Sequence, residues 1–358
     1  MKTCFAVAAM AAAILTCGDV VAQTAKTYDD IPSAYAARNL FMGSVLVAKD
    51  GKVLLDKGYG DANLEWKIAN TPDTKFRLAS LTKQFTAAAI LLLEDRGKLS
   101  TDDPVKKYVP DAPAAWDKVT IYNLLTHTSG IPSFTDFPDY RETQLVTTTV
   151  EKLVARFRDK PLDFQPGENW KYSNSGYALL GYIIEKVSRQ TYAEFLRQNI
   201  FAPLRMADTG YDSNRQIIAR RASGYSRGHD GIENAGYIDM TVPYAAGGLY
   251  STTHDLLRWE EGLFGGKLLS EASFKKMTTP FKNGYACGLA ADVDPHVAFW
   301  HAGGIDGFST ALSYFPDQKM TVVVLGNLAG QVPQTIAGDL AHFAYGGTVA
   351  LKIDPAKE

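Results

Sequence analysis

Strand-like segments stand at both ends of the 358-residue chain and enclose a long middle region with helical periodicity. Near the start, the apolar runs 44–48 and 53–55 lie on either side of Asp50-Gly51, which is the pattern of a β-hairpin. Near the end, the runs 296–300, 310–314 and 321–325 are separated by Gly or Pro-Asp. We therefore expect strands that are distant in sequence to share one antiparallel sheet.

The middle of the chain is helical, most clearly at residues 81–95, 177–187 and 192–199. This order predicts an α/β (α+β) fold, in which an antiparallel sheet is flanked by helices and a mostly helical region, roughly residues 99–245, is inserted. A cleft between the sheet and the insertion is the expected place for a site. Charges of both signs are scattered and sum to −2, which disfavours a nucleic-acid partner.

The first 22 residues differ from the rest because a basic start is followed by an apolar, alanine-rich run and then by small residues up to Ala22. This pattern predicts a secretory signal peptide cleaved after Ala22, which leaves one domain over residues 23–358. The run is shorter than the roughly 20 apolar residues that span a bilayer, so no stable membrane span is expected. We expect a periplasmic or secreted protein.

Cysteine positions bear on the same prediction. Cys17 offers an alternative, a lipoprotein anchor, although Thr16 stands where a smaller Gly or Ala is expected. Cleavage after Ala22 removes Cys4 and Cys17 and leaves Cys287 without an intrachain disulfide partner. The exported fold would then depend on its hydrophobic core, which a chain of this length can supply.

The motif S-x-x-K occurs at Ser80-Leu-Thr-Lys83, directly before the apolar run 85–93. Residues three apart share a helix face, so the Lys83 amine would assist deprotonation of the Ser80 hydroxyl at the start of a buried helix. A second match, Ser273-Phe-Lys-Lys276, has no such run behind it and is typical of a solvated amphipathic helix. Because short motifs arise by chance, the assignment of Ser80 as a nucleophile needs support from further catalytic motifs in the chain.

Two further elements are candidates for those partners. In Tyr172-Ser-Asn174, a tyrosine could serve as a base if Lys83 lowers its pKa from about 10; taken alone, the tripeptide favours an aromatic packing residue with Asn174 as a helix cap. In His301-Ala-Gly-Gly304, the glycines would admit a substrate along a strand edge, and the Gly304 N–H would join that of Ser80 in an oxyanion hole. The same spacing at 229–231 and 282–284 is typical of turns.

The ordered combination of S-x-x-K, Y-x-N and a third triplet resembles the active-site serine penicillin-binding proteins and β-lactamases. With tyrosine at position 172, the middle element is similar to that of the class C β-lactamase and D-alanyl-D-alanine carboxypeptidase branch. This branch also includes esterases and D-aminopeptidases. The stretches 124–130, 172–181, 246–249 and 304–308 are also typical, and the likeness spans residues 44–327. It implies a β-lactamase/transpeptidase-like fold and a serine hydrolase.

The resemblance also implies roles for individual residues. The implied catalytic residues are Ser80, Lys83 and Tyr172, and the implied substrate-binding or oxyanion residues are Asn174, His301, Gly303 and Gly304. In this mechanism Ser80 forms an acyl-enzyme, Asn174 holds Lys83 or the acyl side chain, and His301 hydrogen-bonds Tyr172 or the substrate.

One departure from the family pattern affects the expected substrate. His301 stands where penicillin-recognising members carry a lysine, and a neutral histidine is a weak anchor for a carboxylate. We therefore expect a small ester, amide or peptide substrate; a β-lactamase or D-alanyl-D-alanine carboxypeptidase is the alternative, and a non-catalytic penicillin- or peptidoglycan-binding sensor is an alternative of another class. No cofactor or metal is expected, since the six histidines form no H-E-x-x-H motif. The sequence leaves the oligomeric state open.

Three other features of the sequence do not indicate catalytic residues. Glu168 lies in a turn-like Pro-Gly-Glu-Asn segment, which argues against a deacylating base. His127 is tempting as a catalytic base, but a packing or capping role is favoured. The nucleophile elbow G-x-S-x-G of α/β-hydrolases is matched only at 307–311, where the last glycine is missing.

Overall fold

The computed structural model describes residues 24–292 and 296–351. The signal peptide expected at 1–22 lies outside the described residues. Within the described ranges, no helix is both long enough and apolar enough to cross a membrane.

Thirteen strands are described along the chain, and most of the longer ones lie near its two ends. They are Gly43–Lys49 (β1), Lys52–Tyr59 (β2), Asp61–Asn63 (β3), Ile68–Ala69 (β4), Phe76–Arg77 (β5), Gly210–Tyr211 (β6), Tyr225–Gly228 (β7), Gly231–Asn234 (β8), Leu249–Ser251 (β9), Ala290–Asp292 (β10), Ala298–Ile305 (β11), Phe308–Phe315 (β12) and Met320–Gly326 (β13).

The α-helices lie mostly between these two groups of strands. They are Asp30–Ala36 (α1), Thr82–Asp95 (α2), Ile121–Leu125 (α3), Tyr140–Thr143 (α4), Val150–Arg158 (α5), Asn174–Ser188 (α6), Tyr192–Leu196 (α7), Tyr244–Gly247 (α8), Thr253–Phe264 (α9), Glu271–Thr278 (α10) and Val332–Ala344 (α11). The segment predicted as one helix over 192–199 is α7 followed by a π-helical turn, Arg197–Phe201.

One six-stranded antiparallel sheet joins the two ends of the chain, in the order β10-β11-β12-β13-β1-β2. The β1–β2 hairpin turns at Asp50 and Gly51, both of which have positive φ. Strand β1 also pairs with β13 on its other side, and there Val45 lies opposite Val324. The predicted sharing of one sheet by sequence-distant strands is therefore confirmed.

Both faces of this sheet are buried, and alternate residues along a strand belong to different cores. In β1, Val45 and Val47 belong to a core with α1 and α11, whereas Leu46 and Ala48 belong to the larger core around α2. This alternation follows from the two-residue period of a strand. The sheet is thus a layer between two sets of helices.

Helix α2 is the centre of the larger core. Twelve of its fourteen residues, Thr82 to Leu93, are buried. A helix that is apolar on most sides must be covered on most sides, and α6, α8 and α10 pack around it. Whatever stands at the start of α2 is therefore fixed rigidly between the sheet and the helical region.

Strand β11 runs further than predicted. The expected strand ended at residue 300, with the His-Ala-Gly-Gly segment following it, whereas β11 continues to Ile305 and pairs with β12 throughout that segment. The glycines broke the apolar alternation from which the strand was predicted, so the sequence pattern ended too early.

Candidate active site

Ser80 lies in a single 3-10 turn, Ala79–Leu81, that leads directly into α2. The preceding residue, Ala79, has φ +50°, a left-handed backbone conformation that residues other than glycine rarely adopt. The backbone of Leu78 is clamped on both sides, because its N–H donates to the Leu249 carbonyl at 2.8 Å and its carbonyl accepts from Thr310 Oγ1 at 2.9 Å. These anchors hold Ser80 at the wall of a cavity of about 400 Å³.

The strand beside Ser80 approaches closely because residue 303 is glycine. A Cβ at Gly303 would lie 2.3 Å from the Leu78 carbonyl oxygen and 2.4 Å from Thr310 Oγ1. At Gly304, by contrast, a Cβ would meet nothing within 4 Å, and this residue lines the cavity with Ser80. The absence of a side chain at Gly303 therefore allows this close packing, while Gly304 is open to the cavity.

Lys83 is fully buried and has three polar partners. Its Nζ lies 3.0 Å from Ser80 Oγ, 2.8 Å from Asn174 Oδ1 and 2.8 Å from the Ala246 carbonyl oxygen. Among the described residues it has no ion pair with a carboxylate, and burial holds its pKa well below the usual value. In its neutral form the amine would donate two N–H groups to Asn174 and Ala246, and its lone pair would face the Ser80 hydroxyl.

The second S-x-x-K match is arranged differently. Ser273 Oγ donates to Asp95 at 2.7 Å, and Lys276 Nζ donates to Glu94 at 2.8 Å and to Thr101 at 2.7 Å. This lysine is thus paired with a carboxylate, whereas Lys83 has no carboxylate partner among the described residues. Ser273 and Lys276 therefore each contact a carboxylate and not one another in the hydrogen bonds described.

Tyr172 lies against the same amine. Its ring centroid is 4.7 Å from Lys83 Nζ, and its hydroxyl interacts with the Ser80 hydroxyl. Burial raises the pKa of Tyr172, and the Ser80 hydrogen bond opposes this only weakly. The expectation that Lys83 lowers this pKa is therefore wrong, because the cost of burying the charged phenolate is the dominant effect.

Asn174 is the first residue of α6, and the cap before it is Ser173, whose Oγ accepts from the Gly176 N–H. The predicted cap at Asn174 is thus one residue too late, which frees the Asn174 side chain. Its Oδ1 accepts from Lys83, and its Nδ2 donates to Thr135 Oγ1 at 3.0 Å. The two contacts fix the amide orientation towards Lys83.

His127 packs against the Tyr172-Ser-Asn174 segment. It is 1% exposed, its Nδ1 accepts from the Ser173 N–H at 3.1 Å, and its ring centroid lies 4.4 Å from that of Tyr172. Its Nε2 is buried and has no partner among the described residues. Burial holds its pKa well below the usual value, so His127 packs as a neutral ring.

His301 is buried at 7% exposure and is directed to a residue that the sequence analysis did not single out. Its Nε2 lies 3.1 Å from Tyr285 Oη, and its Nδ1 lies 2.6 Å from the Ala302 carbonyl oxygen. The expected hydrogen bond to Tyr172 is absent from the contacts described, and the two ring centroids are 6.3 Å apart. Burial lowers the pKa of His301 to about 3, so the imidazole is neutral at neutral pH.

The cavity at Ser80 lies between the sheet and the helical region. Besides Ser80, Asn174 and Gly304, it is lined by Phe134, Thr135, Tyr140 and Pro243. Its charged lining residues are Arg141 from α4 and Asp306 from the β11–β12 turn, with Arg141 Nη1 3.5 Å from Asp306 Oδ1. Glu168 is exposed and does not line this cavity.

Three groups that contact the predicted site residues were not predicted from the sequence: Tyr285, Thr135 and the carbonyl of Ala246. Tyr285 follows Asn283-Gly284, a dipeptide that was interpreted only as a turn, and Asn283 does have positive φ. Ala246 belongs to the family-like stretch 246–249, but a backbone carbonyl leaves no signal in a sequence. For Thr135, proximity to Asn174 depends on how the loop after α3 folds back, which no local pattern specifies.

The arrangement is suited to acyl transfer. It combines the Ser80 hydroxyl, the buried Lys83 amine within hydrogen-bonding distance of it, and the protonated Tyr172 phenol. The backbone at Gly304 lines the same cavity as Ser80. The described residues contain no cluster of three or more His, Cys, Asp or Glu side chains able to hold a metal ion.

Comparison with known proteins agrees with this geometry. A family model described as Beta-lactamase matches residues 8–345. Protein flp from Staphylococcus aureus (strain MRSA252) is 34% identical over 311 residues, which is 82% of this chain and 61% of the relative. The match thus spans less than two thirds of that relative's length.

Two solved structures extend the comparison. The octameric penicillin-binding protein homologue from Pyrococcus abyssi has a TM-score of 0.78 and 30% identity, and the match covers 89% of this chain and 76% of that one. The D-amino acid amidase from Ochrobactrum anthropi SV3, complexed with L-phenylalanine amide, has a TM-score of 0.78 and 25% identity. This match covers 88% of this chain and 99% of the amidase.

Proposed function

Because this chain belongs to the β-lactamase family of serine hydrolases, we propose that it cleaves an ester or amide through an acyl-enzyme on Ser80. The observation that carries the proposal is the contact of the buried Lys83 amine with the Ser80 hydroxyl at 3.0 Å. A neutral amine at this distance is a general base for the hydroxyl.

Acylation follows from the protonation states of the three groups. Ser80 Oγ attacks the substrate carbonyl while its proton passes to Lys83 Nζ, and the developing oxyanion accepts hydrogen bonds from the Ser80 and Gly304 N–H groups. Tyr172, which burial keeps protonated, donates its proton to the leaving group. The Lys83 ammonium then returns a proton to Tyr172, so that the amine is neutral again.

Deacylation reverses these roles. A water molecule loses its proton to the neutral Lys83 amine and attacks the acyl carbonyl. As the intermediate collapses, the Lys83 ammonium returns this proton to Ser80 Oγ, which regenerates both the hydroxyl and the neutral amine. Asn174 keeps the amine oriented through both steps, since its Oδ1 contacts Lys83 at 2.8 Å. The chain itself supplies each proton donor and acceptor that this cycle requires.

The substrate we propose is a small ester or amide rather than a penicillin. His301 is neutral and bonded to Tyr285, so it offers no cation to the carboxylate that penicillins carry. An amide substrate is supported by the likeness to the D-amino acid amidase, of which the match covers 99%.

The test is steady-state hydrolysis of p-nitrophenyl butyrate by the wild type, Ser80→Ala and the matched control Ser273→Ala. We expect Ser80→Ala to lower kcat/KM by about 10³-fold or more and Ser273→Ala to leave it unchanged. Activity retained by Ser80→Ala would overturn the proposal, and release of a single equivalent of nitrophenol would favour a non-catalytic sensor. D-phenylalanine amide, a D-Ala-D-Ala peptide and a cephalosporin then rank the substrates, with the cephalosporin expected last.

We also propose that the chain is exported after cleavage at Ala22, on the strength of its first 22 residues. Intact-mass measurement of the protein recovered outside the cytoplasm should give a chain that begins at Gln23. Recovery of the full 358 residues in the cytoplasm alone would contradict export.

A further inference from the structure

A second cavity, of about 350 Å³, adjoins the one at Ser80. Asp306 lines both cavities. The second one is otherwise lined by Arg77 and Arg221, by Asn214 and Phe308, and by the segments 222–224 and 234–238. Arg77 is the end of β5 and stands three residues before Ser80, so this cavity flanks the proposed nucleophile.

The two arginines share a single buried carboxylate. Asp212 is fully buried and accepts from Arg77 Nε at 2.8 Å and from Arg221 Nη1 at 2.5 Å. Arg221 Nη1 also contacts the Ser213 carbonyl at 3.2 Å. Arg77 and Arg221 face the single charge of Asp212, and Asp306, which also lines the cavity, is offset by its ion pair with Arg141, so the net charge is about +1. Asp212 orients both guanidinium groups.

Most of the donors on these arginines remain unused. An arginine has five N–H donors, yet among the described residues Arg77 uses only Nε, and Arg221 uses only Nη1. None of the other guanidinium nitrogens is among the buried atoms that lack a partner, and both arginines line the cavity. Arg77 is held further by the Phe308 ring, whose centroid is 5.6 Å from its Cζ.

We propose that this cavity, which we name the arginine pocket, binds a carboxylate of the substrate at a distance from the scissile bond. The inference rests on the proposed function, since it makes the pocket a subsite of the Ser80 cleft. Planar guanidinium groups bind carboxylates through paired hydrogen bonds. The net charge of about +1 matches a carboxylate, whereas a phosphate would overcompensate it next to Asp306.

The other charges near the cleft do not provide this anchor. Arg141 has a side chain that is 79% exposed, so solvent and salt screen its charge. His301 is neutral and buried against Tyr285. Arg77, with a side chain only 13% exposed, is fixed in place and largely shielded. The substrate class that follows is an ester or amide of a dicarboxylic acid, or one with an equivalent acidic side chain.

The test compares p-nitrophenyl monoesters of succinate, glutarate and adipate with the corresponding neutral methyl diesters of equal length. In the wild type, we expect the best acidic ester to exceed its neutral partner in kcat/KM by about tenfold, a difference of about 1.4 kcal/mol. Arg221→Gln should abolish this preference, which is measured as the ratio of the two kcat/KM values within the same variant and is therefore independent of its overall activity. Arg77→Lys, which keeps the charge but loses the planar fork, should reduce the preference.

Arg220→Gln is the matched control, because Arg220 is the neighbouring arginine but pairs with Asp73 and Asp208 and does not line the pocket. It should leave the preference intact. Asp306→Asn should strengthen the preference, since it removes a negative charge beside the pocket. The inference would be overturned if the wild type hydrolysed the acidic and neutral esters with equal kcat/KM. It would also be overturned if Arg221→Gln kept the wild-type ratio of these two values.

A binding experiment separates this inference from the proposed function. Calorimetric titration of Ser80→Ala with glutarate should show binding that Arg221→Gln removes in the same background, and inorganic phosphate should bind less tightly. Absent glutarate binding together with rapid hydrolysis of the neutral ester would overturn only the subsite. Glutarate binding that depends on Arg221, in a protein that hydrolyses no ester, would support the pocket and contradict the proposed hydrolase. Tighter binding of phosphate than of glutarate would overturn the assignment to a carboxylate.

Discussion

The buried carboxyl of Glu260 makes the stability of this fold depend on pH. Glu260 lies on α9 at 3% exposure, and its Oε2 has no hydrogen-bond partner among the described residues. Burial raises its pKa to about 8 from an ordinary value of 4.5. The native protein therefore keeps this proton over a range of about 3.5 pH units in which the unfolded chain has already lost it.

The sign and size of the effect follow from linkage. Below pH 4.5 both states hold the proton and the contribution to stability is fully present; between pH 4.5 and 8 the unfolded state binds fewer protons, so stability falls as pH rises. Each pH unit removes about 1.4 kcal/mol, which amounts to about 5 kcal/mol over the whole range. This is a large fraction of the ordinary stability of a folded protein.

The assay is urea unfolding followed by tryptophan fluorescence at pH 5, 6, 7 and 8. Glu260→Gln keeps the shape of the side chain and removes the titration, so the wild type should lose about 4 kcal/mol relative to the variant between pH 5 and 8. Glu261→Gln, the exposed neighbour on the same helix, is the matched control and should follow the wild type. Parallel stability curves for the wild type and Glu260→Gln would refute the reasoning.

Three further predictions concern the cleft. Since burial depresses the pKa of Lys83, kcat/KM should rise with pH to a plateau well below pH 10, and Lys83→Met should lower it by about 10³-fold or more in the same ester assay. Gly303→Ala should lower stability by about 1–3 kcal/mol, because its Cβ would meet the Leu78 carbonyl at 2.3 Å; Gly304→Ala, which meets nothing, should melt like the wild type. His301→Gln should keep the wild-type pH–rate profile between pH 5 and 8, since His301 is already neutral there; a lost inflection in that range would contradict this.

The sheet was predictable from the sequence because its strands carry simple apolar runs. Val45 and Val324 lie in such runs, and because both faces are buried, their apolar character is continuous. The S-x-x-K helix was predictable for a similar reason, since a long apolar run follows Lys83. The site geometry was predictable only in outline: the order of the motifs indicated that Ser80, Lys83 and Tyr172 belong together, and the structure brings these three side chains into contact.

What the sequence did not indicate depends on tertiary burial. The pKa of Tyr172 was expected to fall, but it rises because desolvation outweighs any effect of the neutral amine. Asp212 stands in a polar Asp-Ser-Asn-Arg stretch typical of an exposed turn, yet it is fully buried between Arg77 and Arg221. Partners that lie far apart in the chain leave no local pattern, so neither result follows from spacing or composition.

The central claim is that Ser80 carries the acyl group, and covalent trapping tests it most directly. The protein is incubated with a fluorophosphonate, and the adduct is measured by intact mass and located by peptide mapping. We expect one adduct per chain, on the peptide that contains Ser80, in both the wild type and Ser273→Ala, and no adduct in Ser80→Ala. An adduct that persists in Ser80→Ala, or that maps to another residue in the wild type, would contradict the account.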